Sequence, residues 1–202
     1  MPIPDNSGDW GVLGGSFDPV HNGHLNLAAA ICKTKHLNRV LIIPAYKHPL
    51  KQPAFVASYS ERVAMLKLAL AGQNALQLCE IESVQRLSGY TYDTLQALKK
   101  RFPKAKFHFI IGSDLVPQLK SWHRAEELLR EGSFLIGSRP GGKRNTGSIS
   151  LNPNLEFVAI DELDISASDI RNRIKDGEQV DDLKQLVPKK VAEFIFKKGL
   201  YR

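Results

Sequence analysis

Residues 14–24 contain the side chains best suited to chemistry in this chain, two histidines three positions apart. They read Gly-Gly-Ser-Phe-Asp-Pro-Val-His-Asn-Gly-His, with the imidazoles at His21 and His24. A short apolar run precedes this stretch, and residues 25–32 follow it with helical character. A helix N-terminus presents free N–H groups and the positive end of its dipole, which suits a polyphosphate. We expect both imidazoles to add donors on one side, because residues three apart are neighbours on a helix.

Two other interpretations of His21 and His24 compete with phosphate binding. Both can be hydrogen-bonded structural histidines in a glycine-rich turn. Both can also be zinc ligands, although no third ligand stands at a recognisable spacing and Cys32 and Cys79 lie elsewhere. Neither the Walker pattern nor a Gly-x-Gly-x-x-Gly after a strand occurs in the chain. The glycines before the pair and the helix after it favour phosphate binding.

The composition is typical of a globular protein, and 202 residues suit one domain with a sizeable core. Apolar residues make up 43% of the chain, yet no run approaches the roughly 18 residues of a membrane span. The first residues do not read as a signal peptide, so we expect a cytoplasmic protein without a membrane partner. The net charge of +7 favours anionic partners. Because the basic residues are dispersed, we do not expect nucleic acid to be one.

Apolar runs alternate with helical patterns along the whole chain. This alternation predicts an α/β, Rossmann-like, doubly wound fold with a mainly parallel sheet and helices on both faces. The predicted strands are residues 10–13, 39–44, 76–84, 107–111, 134–138 and 155–160. The predicted helices are residues 62–70, 91–101, 124–130 and about 188–198. A capping box, Ser58-x-x-Glu61, begins the first of these helices. We expect a single domain over residues 1–202, with the last helix packed at its C-terminal end.

Further motifs extend the pattern of the histidine pair across nearly the whole chain. Ser-Gly-Tyr-Thr-Tyr-Asp-Thr-Leu occupies 88–95, Ile-Ile-Gly-Ser-Asp 110–114, and Leu-Lys-Ser-Trp-His-Arg 119–124. Ile-Ser-Ala-Ser-Asp-Ile-Arg occupies 165–171, and the chain ends Gly-Leu-Tyr-Arg. The His-x-Gly-His motif resembles the signature of the nucleotidylyltransferases. Together the segments resemble the bacterial nicotinate-nucleotide adenylyltransferases. The resemblance implies adenylyl transfer from ATP to nicotinate mononucleotide, which gives deamido-NAD and pyrophosphate in NAD biosynthesis.

The resemblance also implies a set of site residues. His21, His24 and Arg171 would be catalytic, because the family uses the corresponding groups toward the ATP phosphates. The expected ATP-binding residues are Gly14, Gly15, Ser16, Phe17, Gly23, Gly112, Asp114, Ser166, Ser168 and Ile170. The expected mononucleotide-binding residues are Lys51, Tyr90, Thr91, Asp93 and Trp122. Magnesium would arrive with ATP, held mostly by substrate and water, since the sequence shows no dedicated carboxylate cage.

Some of these positions also fit simpler structural roles. A helix N-cap is an alternative for small polar side chains at a helix start. It would fit Ser113 or Asp114, Thr91, Ser166 and Ser168. Trp122 would fit a core position, and Arg171 an exposed surface charge. The loop at residues 139–153 can be a disordered surface loop or a cover for the active site.

The chain departs from the family pattern in the loop after the second strand. The family often reads Pro-Pro-His-Lys there, whereas this chain reads His48-Pro-Leu50-Lys51. A related enzyme with another phosphate acceptor, nicotinamide mononucleotide or phosphopantetheine, is therefore an alternative. A non-catalytic nucleotide-binding or RNA-associated module is another. The intact histidine pair argues against the second alternative.

Overall fold

The computed structural model describes residues 7–47, 55–138, 152–161 and 163–202. Lys51 and most of the 139–153 segment lie outside the described residues, so the predictions made for them stay predictions. The strands within the described ranges are β1 Ser7–Gly15, β2 Arg39–Pro44, β3 Leu76–Leu78, β4 Lys104–Gly112, β5 Ser133–Ser138 and β6 Leu155–Ala159. They form one sheet in the order β3-β2-β1-β4-β5-β6, and each neighbouring pair is parallel. The predicted α/β fold is confirmed.

Helices connect the strands. They are α1 Asn22–Thr34, α2 Tyr59–Ala69, α3 Ile81–Val84, α4 Thr91–Arg101, α5 Ala125–Glu131, α6 Ala167–Lys175 and α7 Lys189–Lys198. A 3₁₀ helix, Ser113–Ser121, follows β4. The predicted capping box is confirmed, because Ser58 Oγ accepts from the Glu61 N–H at 3.3 Å and Glu61 accepts from the Ser58 N–H at 2.8 Å. The predicted range of α4 is confirmed at both ends.

Two parts of the secondary-structure prediction are wrong. The strand predicted at 76–84 ends at Leu78, and α3 begins at Ile81. Consecutive Ile81 and Glu82 side chains are both buried, which suits a helix packed among several elements rather than an alternating strand. The 3₁₀ helix was not predicted. It contains Pro117, which lacks an N–H and interferes with a regular α-helix.

The sheet divides the core into two layers. Along β2, the side chains of Val40 and Ile42 join one hydrophobic cluster, and those of Leu41 and Ile43 join the other. This alternation follows from the two-residue period of a strand and confirms that both faces are covered. From β1 the chain goes on to β2 on one side of the sheet, whereas β4 leads to β5 on the other. A crevice therefore opens outside the carboxyl ends of β1 and β4, where ligands bind in such folds.

Candidate active site

The loop from β1 to α1 lies at this crevice. Phe17 is fully buried, has a φ of +50°, and places its ring 4.9 Å from the His24 ring, centroid to centroid. A side chain at Gly15 would have its Cβ 3.1 Å from the Phe17 ring, and one at Gly23 would lie 3.0 Å from His21 Nδ1. Glycine at these two positions leaves room for the two rings. Gly14, near the end of β1, and Ser16, in the loop, are exposed to solvent.

The two histidines lie at the start of α1 with their rings stacked. Their ring centroids are 3.6 Å apart, at an interplanar angle of 26°. His21 occupies the N-cap position, and its backbone N–H donates to His24 Nδ1 at 3.3 Å. Because Nδ1 of His24 is an acceptor, the neutral ring must carry its proton on Nε2. His24 therefore retains one N–H donor that it can offer to a ligand.

Burial keeps both imidazoles neutral at neutral pH. It lowers the pKa of His21 from 6.5 to about 4. It also lowers the pKa of His24 well below its ordinary value, and repulsion from His21 adds to this effect. The Nδ1 atom of His21 is buried and has no hydrogen-bond partner among the described residues. The interpretation of both rings as hydrogen-bonded structural histidines does not account for this atom of His21, and a buried unpaired atom of this kind calls for an explanation such as a ligand.

Helix α6 brings Arg171 to the same loop. The Arg171 guanidinium donates from Nη1 to the backbone carbonyl of Asp18 at 2.7 Å and from Nη2 to Ser168 Oγ at 3.1 Å. Since Asp18 follows Phe17, the structure brings together the three residues predicted to be catalytic. Ser166 caps α6, with its Oγ accepting from the Asp169 N–H at 3.1 Å. The Ile170 side chain is fully buried and anchors the helix in the core, so Ile170 can reach a ligand through its backbone alone.

The carboxyl end of β4 lies beside that of β1 in the sheet. Gly112 occupies the N-cap position of the 3₁₀ helix, so the capping interpretation of Ser113 or Asp114 is wrong. Asp114 is exposed in the first turn of that helix. Its carboxylate is therefore accessible at the edge of the sheet where the crevice opens.

A second group of predicted site residues surrounds the start of α4. Tyr90 is the N-cap residue, so the capping interpretation of Thr91 is wrong as well. Ser88 organises this turn, because its Oγ accepts from the Tyr90 N–H at 3.1 Å and donates a short hydrogen bond to Asp93. The Tyr90 ring stacks on the ring of His123 at 4.3 Å.

Trp122 precedes His123 and lies at the margin of the second hydrophobic cluster. Its side chain is half-buried, so Trp122 packs against the core but keeps part of its surface exposed to solvent. The stack of Tyr90 on His123 places Trp122 close to the start of α4. Trp122 thus lies in the same part of the structure as Tyr90, Thr91 and Asp93.

Arg62 is a neighbour of the site that the sequence did not single out. It is fully buried on α2 and donates to the backbone carbonyls of Ser16 at 2.6 Å and Ala45 at 2.9 Å. Desolvation lowers its pKa, and its guanidinium also lies 3.7 Å from the centre of the Phe55 ring. Arg62 therefore ties the loops after β1 and β2 together. A polar residue on an otherwise ordinary helix carried no signal of this role.

The described residues contain no group of three or more His, Cys, Asp or Glu side chains that could hold a metal ion. The third ligand that the zinc interpretation requires is thus not found within them. No helix in the described part of the chain is both long enough and apolar enough to span a membrane.

Comparison with known proteins identifies the family. Residues 12–173 match the family model described as cytidylyltransferase-like. The chain is 37% identical over 194 residues to a probable nicotinate-nucleotide adenylyltransferase of Geobacillus thermodenitrificans, covering 96% of this chain and 86% of the relative. A relative of the same description in Bacillus anthracis is 36% identical over 191 residues, covering 95% and 97%. The chain belongs to the nicotinate-nucleotide adenylyltransferase family.

Membership of this family makes the chain a nucleotidyltransferase of NAD biosynthesis. The fold agrees with solved structures. The nicotinic acid mononucleotide adenylyltransferase of Plasmodium falciparum, solved with APC, has a TM-score of 0.81 at 23% identity and covers 96% of this chain and 97% of its own. A structure from Vibrio parahaemolyticus described as a putative nicotinate-nucleotide adenylyltransferase has a TM-score of 0.69 at 19% identity and covers 96% of this chain and 95% of its own. At these identities the likeness concerns the fold alone.

Proposed function

We propose that this adenylyltransferase joins the phosphate of nicotinate mononucleotide to the α-phosphorus of ATP and forms deamido-NAD. The observation that carries the proposal is the histidine pair at the start of α1, with one buried nitrogen unpaired and with Arg171 of α6 bonded to the adjoining loop. Family membership supports the same reaction. Of the residues predicted to bind ATP, those around the ends of β1 and β4 keep that role in the proposal, whereas Ser166 would chiefly cap α6.

The reaction requires positioning rather than a protein nucleophile. An oxygen of the mononucleotide phosphate forms a bond with the α-phosphorus, and the bond from that phosphorus to the bridging oxygen breaks. Pyrophosphate leaves with the electron pair. The attacking phosphate is already ionised near neutral pH, so no general base is needed. His24, through its Nε2–H, and Arg171 would stabilise the charge that develops on the phosphates.

Enzymes of this class use ATP together with a divalent metal ion. We propose magnesium, bound to ATP as part of the substrate. Such an ion would be coordinated chiefly by phosphate oxygens and water.

We assign the mononucleotide to the group formed by Tyr90, Thr91, Asp93 and Trp122, together with Lys51. The Trp122 ring would stack on the pyridine ring. Backbone N–H groups at the start of α4 are donors alone, so they favour the carboxylate of nicotinate over the amide of nicotinamide. An unpaired amide group in such a pocket costs about 1–3 kcal/mol, or roughly ten- to a hundredfold in affinity. We place the reaction in the cytoplasm, where the free thiols of Cys32 and Cys79 stay reduced.

The test is a pyrophosphate-release assay with ATP, magnesium and a panel of acceptors. We expect nicotinate mononucleotide to give the highest kcat/KM, with deamido-NAD identified as the product by mass. Nicotinamide mononucleotide and phosphopantetheine are the competing acceptors. A higher kcat/KM with either of them, or no product from a folded protein, would overturn the assignment. Reactions without an acceptor control for hydrolysis of ATP.

A further inference from the structure

The C-terminal segment reaches Asp18, which lies in the loop between β1 and α1. Asp18 is 4% exposed, and its carboxylate accepts three hydrogen bonds. Two come from the backbone N–H groups of Val56 at 2.6 Å and Ala57 at 3.1 Å. The third comes from the hydroxyl of Tyr201 at 2.6 Å. Tyr201 is the next-to-last residue and is also 4% exposed, so this contact is fully internal.

The backbone is strained on both sides of this contact. Phe17 has a φ of +50° and Tyr201 a φ of +68°. Bulky side chains rarely adopt this region, because their Cβ atom comes too close to the backbone there. Surrounding contacts must therefore impose both conformations, and strain of this kind is concentrated at functional sites. Helix α7, which precedes Tyr201, packs against α2.

The strained turn controls the placement of two catalytic groups. The backbone carbonyl of Asp18 accepts from Arg171, and the ring of Phe17 contacts His24. A rotation of the 17–18 segment would therefore displace both groups together. The side chain of Asp18 sets the orientation of this segment, and the Tyr201 hydroxyl is one of its three donors. Burial and the bond to Asp18 raise the pKa of Tyr201, so the hydroxyl keeps its proton at neutral pH.

We propose that Tyr201 is a positioning residue of the active site. Its hydroxyl fixes the Asp18 carboxylate, which holds the Phe17–Asp18 turn so that His24 and Arg171 face the triphosphate. The inference rests on the proposed function, because it assigns the C-terminal segment to the same site. Tyr201 acts through Asp18 and does not itself need to touch the substrate.

The first test compares Tyr201→Phe with Tyr92→Phe in the full chain. Tyr201→Phe keeps the buried ring and removes the donor to Asp18. Tyr92 is a matched control, since it is also buried and its hydroxyl lies 3.5 Å from Glu131. We expect Tyr201→Phe to lower kcat about tenfold, as misplacement of catalytic groups does, and to raise the KM for ATP about three- to tenfold, because Arg171 is displaced as well. Tyr92→Phe should keep the wild-type kcat.

A purely stabilising role predicts a different result. Tyr201→Phe would then lower the melting temperature while kcat per folded molecule stays at the wild-type value, and the inference would be overturned. The folded fraction is measured by circular dichroism at the assay temperature, so partial unfolding of the variant does not obscure the comparison.

The second test does not depend on turnover. Calorimetry measures binding of α,β-methylene-ATP to the wild type, Arg171→Lys, Tyr201→Phe and the double variant. We expect Arg171→Lys to weaken binding about tenfold in the wild-type background and less than threefold when Tyr201 is Phe, because Arg171 is then already displaced. Equal losses in both backgrounds would overturn the inference. Coupling in a protein that forms no deamido-NAD would instead overturn the proposed function alone.

Discussion

The N-termini of α1 and α6 lie at the same edge of the sheet, and the sequence predicted both to face the triphosphate. They are built differently. At α6, the Ser166 hydroxyl accepts from a backbone N–H of the first turn, so the helix is capped without a ligand. At α1, the N-cap is His21, which makes no side-chain capping hydrogen bond and has a buried, unpaired Nδ1.

This difference indicates which terminus depends on a ligand. A buried polar atom without a partner costs about 1–3 kcal/mol, and a ligand that supplies the partner recovers that free energy on binding. The start of α1 is therefore less stable without a ligand than with one. The start of α6 has its capping hydrogen bond without a ligand. We infer that α1 binds the phosphates directly and that α6 mainly positions Arg171.

The pH dependence of stability tests this comparison with the largest expected effect. The pKa of His21 is about 4 in the folded chain against 6.5 ordinarily, so the unfolded chain binds the proton first as pH falls. The free energy of unfolding should decrease from pH 6.5 to about 4, by up to about 3 kcal/mol from His21. Above pH 6.5 this contribution is constant.

Urea unfolding of the nucleotide-free protein across this range measures the slope. His21→Asn serves as the control, because asparagine is a good N-cap and does not titrate. Its stability should vary less between pH 6.5 and 4 than that of the wild type. Identical slopes in the two proteins would show that His21 is not held neutral by burial.

Removing the free donor of His24 should have the next largest effect. We expect His24→Ala to lower kcat by about a hundredfold or more, the usual consequence of losing a preorganised donor. Two further variants locate the effect on the ring. Glutamine can place an N–H near the Nε2 position, whereas asparagine reaches only the Nδ1 position that accepts from His21.

His24→Gln should therefore retain more activity than His24→Asn at similar stability. The measurement is kcat with saturating ATP and nicotinate mononucleotide. Equal activity of the two variants would contradict a role for the Nε2–H.

Arg171→Lys should have a smaller effect, about tenfold in kcat/KM, because lysine keeps the charge but loses the planar fork. Arg173→Lys is the matched control two residues along the same helix, where the guanidinium is exposed and lies 3.5 Å from Glu178. That variant should behave like the wild type in the assay. Equal losses from both substitutions would show that Arg171 acts as one of several general surface charges.

Local patterns predicted the parts of the fold that depend on neighbours in sequence. The range of α4 and the Ser58–Glu61 capping box follow from helix periodicity and end signals. The alternation of predicted strands and helices along the chain likewise predicted a parallel sheet. The 3₁₀ helix was missed, because its conformation depends on Pro117 and on packing against β4 and β5 rather than on a regular period.

The candidate site likewise contains residues that sequence patterns predicted and residues that they missed. Motif resemblance predicted His21, His24 and Arg171, and the structure brings them together. The contact between Asp18 and Tyr201 joins residues 183 positions apart, so no local pattern predicts it. Arg62 was likewise missed, because its partners are backbone carbonyls of two distant loops, which leave no signature in side-chain identity.

The smallest expected effect concerns Ser166 and separates a cap from a phosphate contact. Ser166→Ala removes the acceptor for the Asp169 N–H and should cost about 1 kcal/mol of unfolding free energy, with kcat and the KM for ATP changed less than about twofold.

Ser166→Asp retains a capping side chain and adds a negative charge. It should keep the stability of the wild type but raise the KM for ATP, because the charge repels the triphosphate if the start of α6 faces it. Urea unfolding and initial rates on the same preparations give both quantities. A large loss of activity in Ser166→Ala at unchanged stability would show that the hydroxyl serves the ligand and not the helix, and the contrast between the two termini would fail.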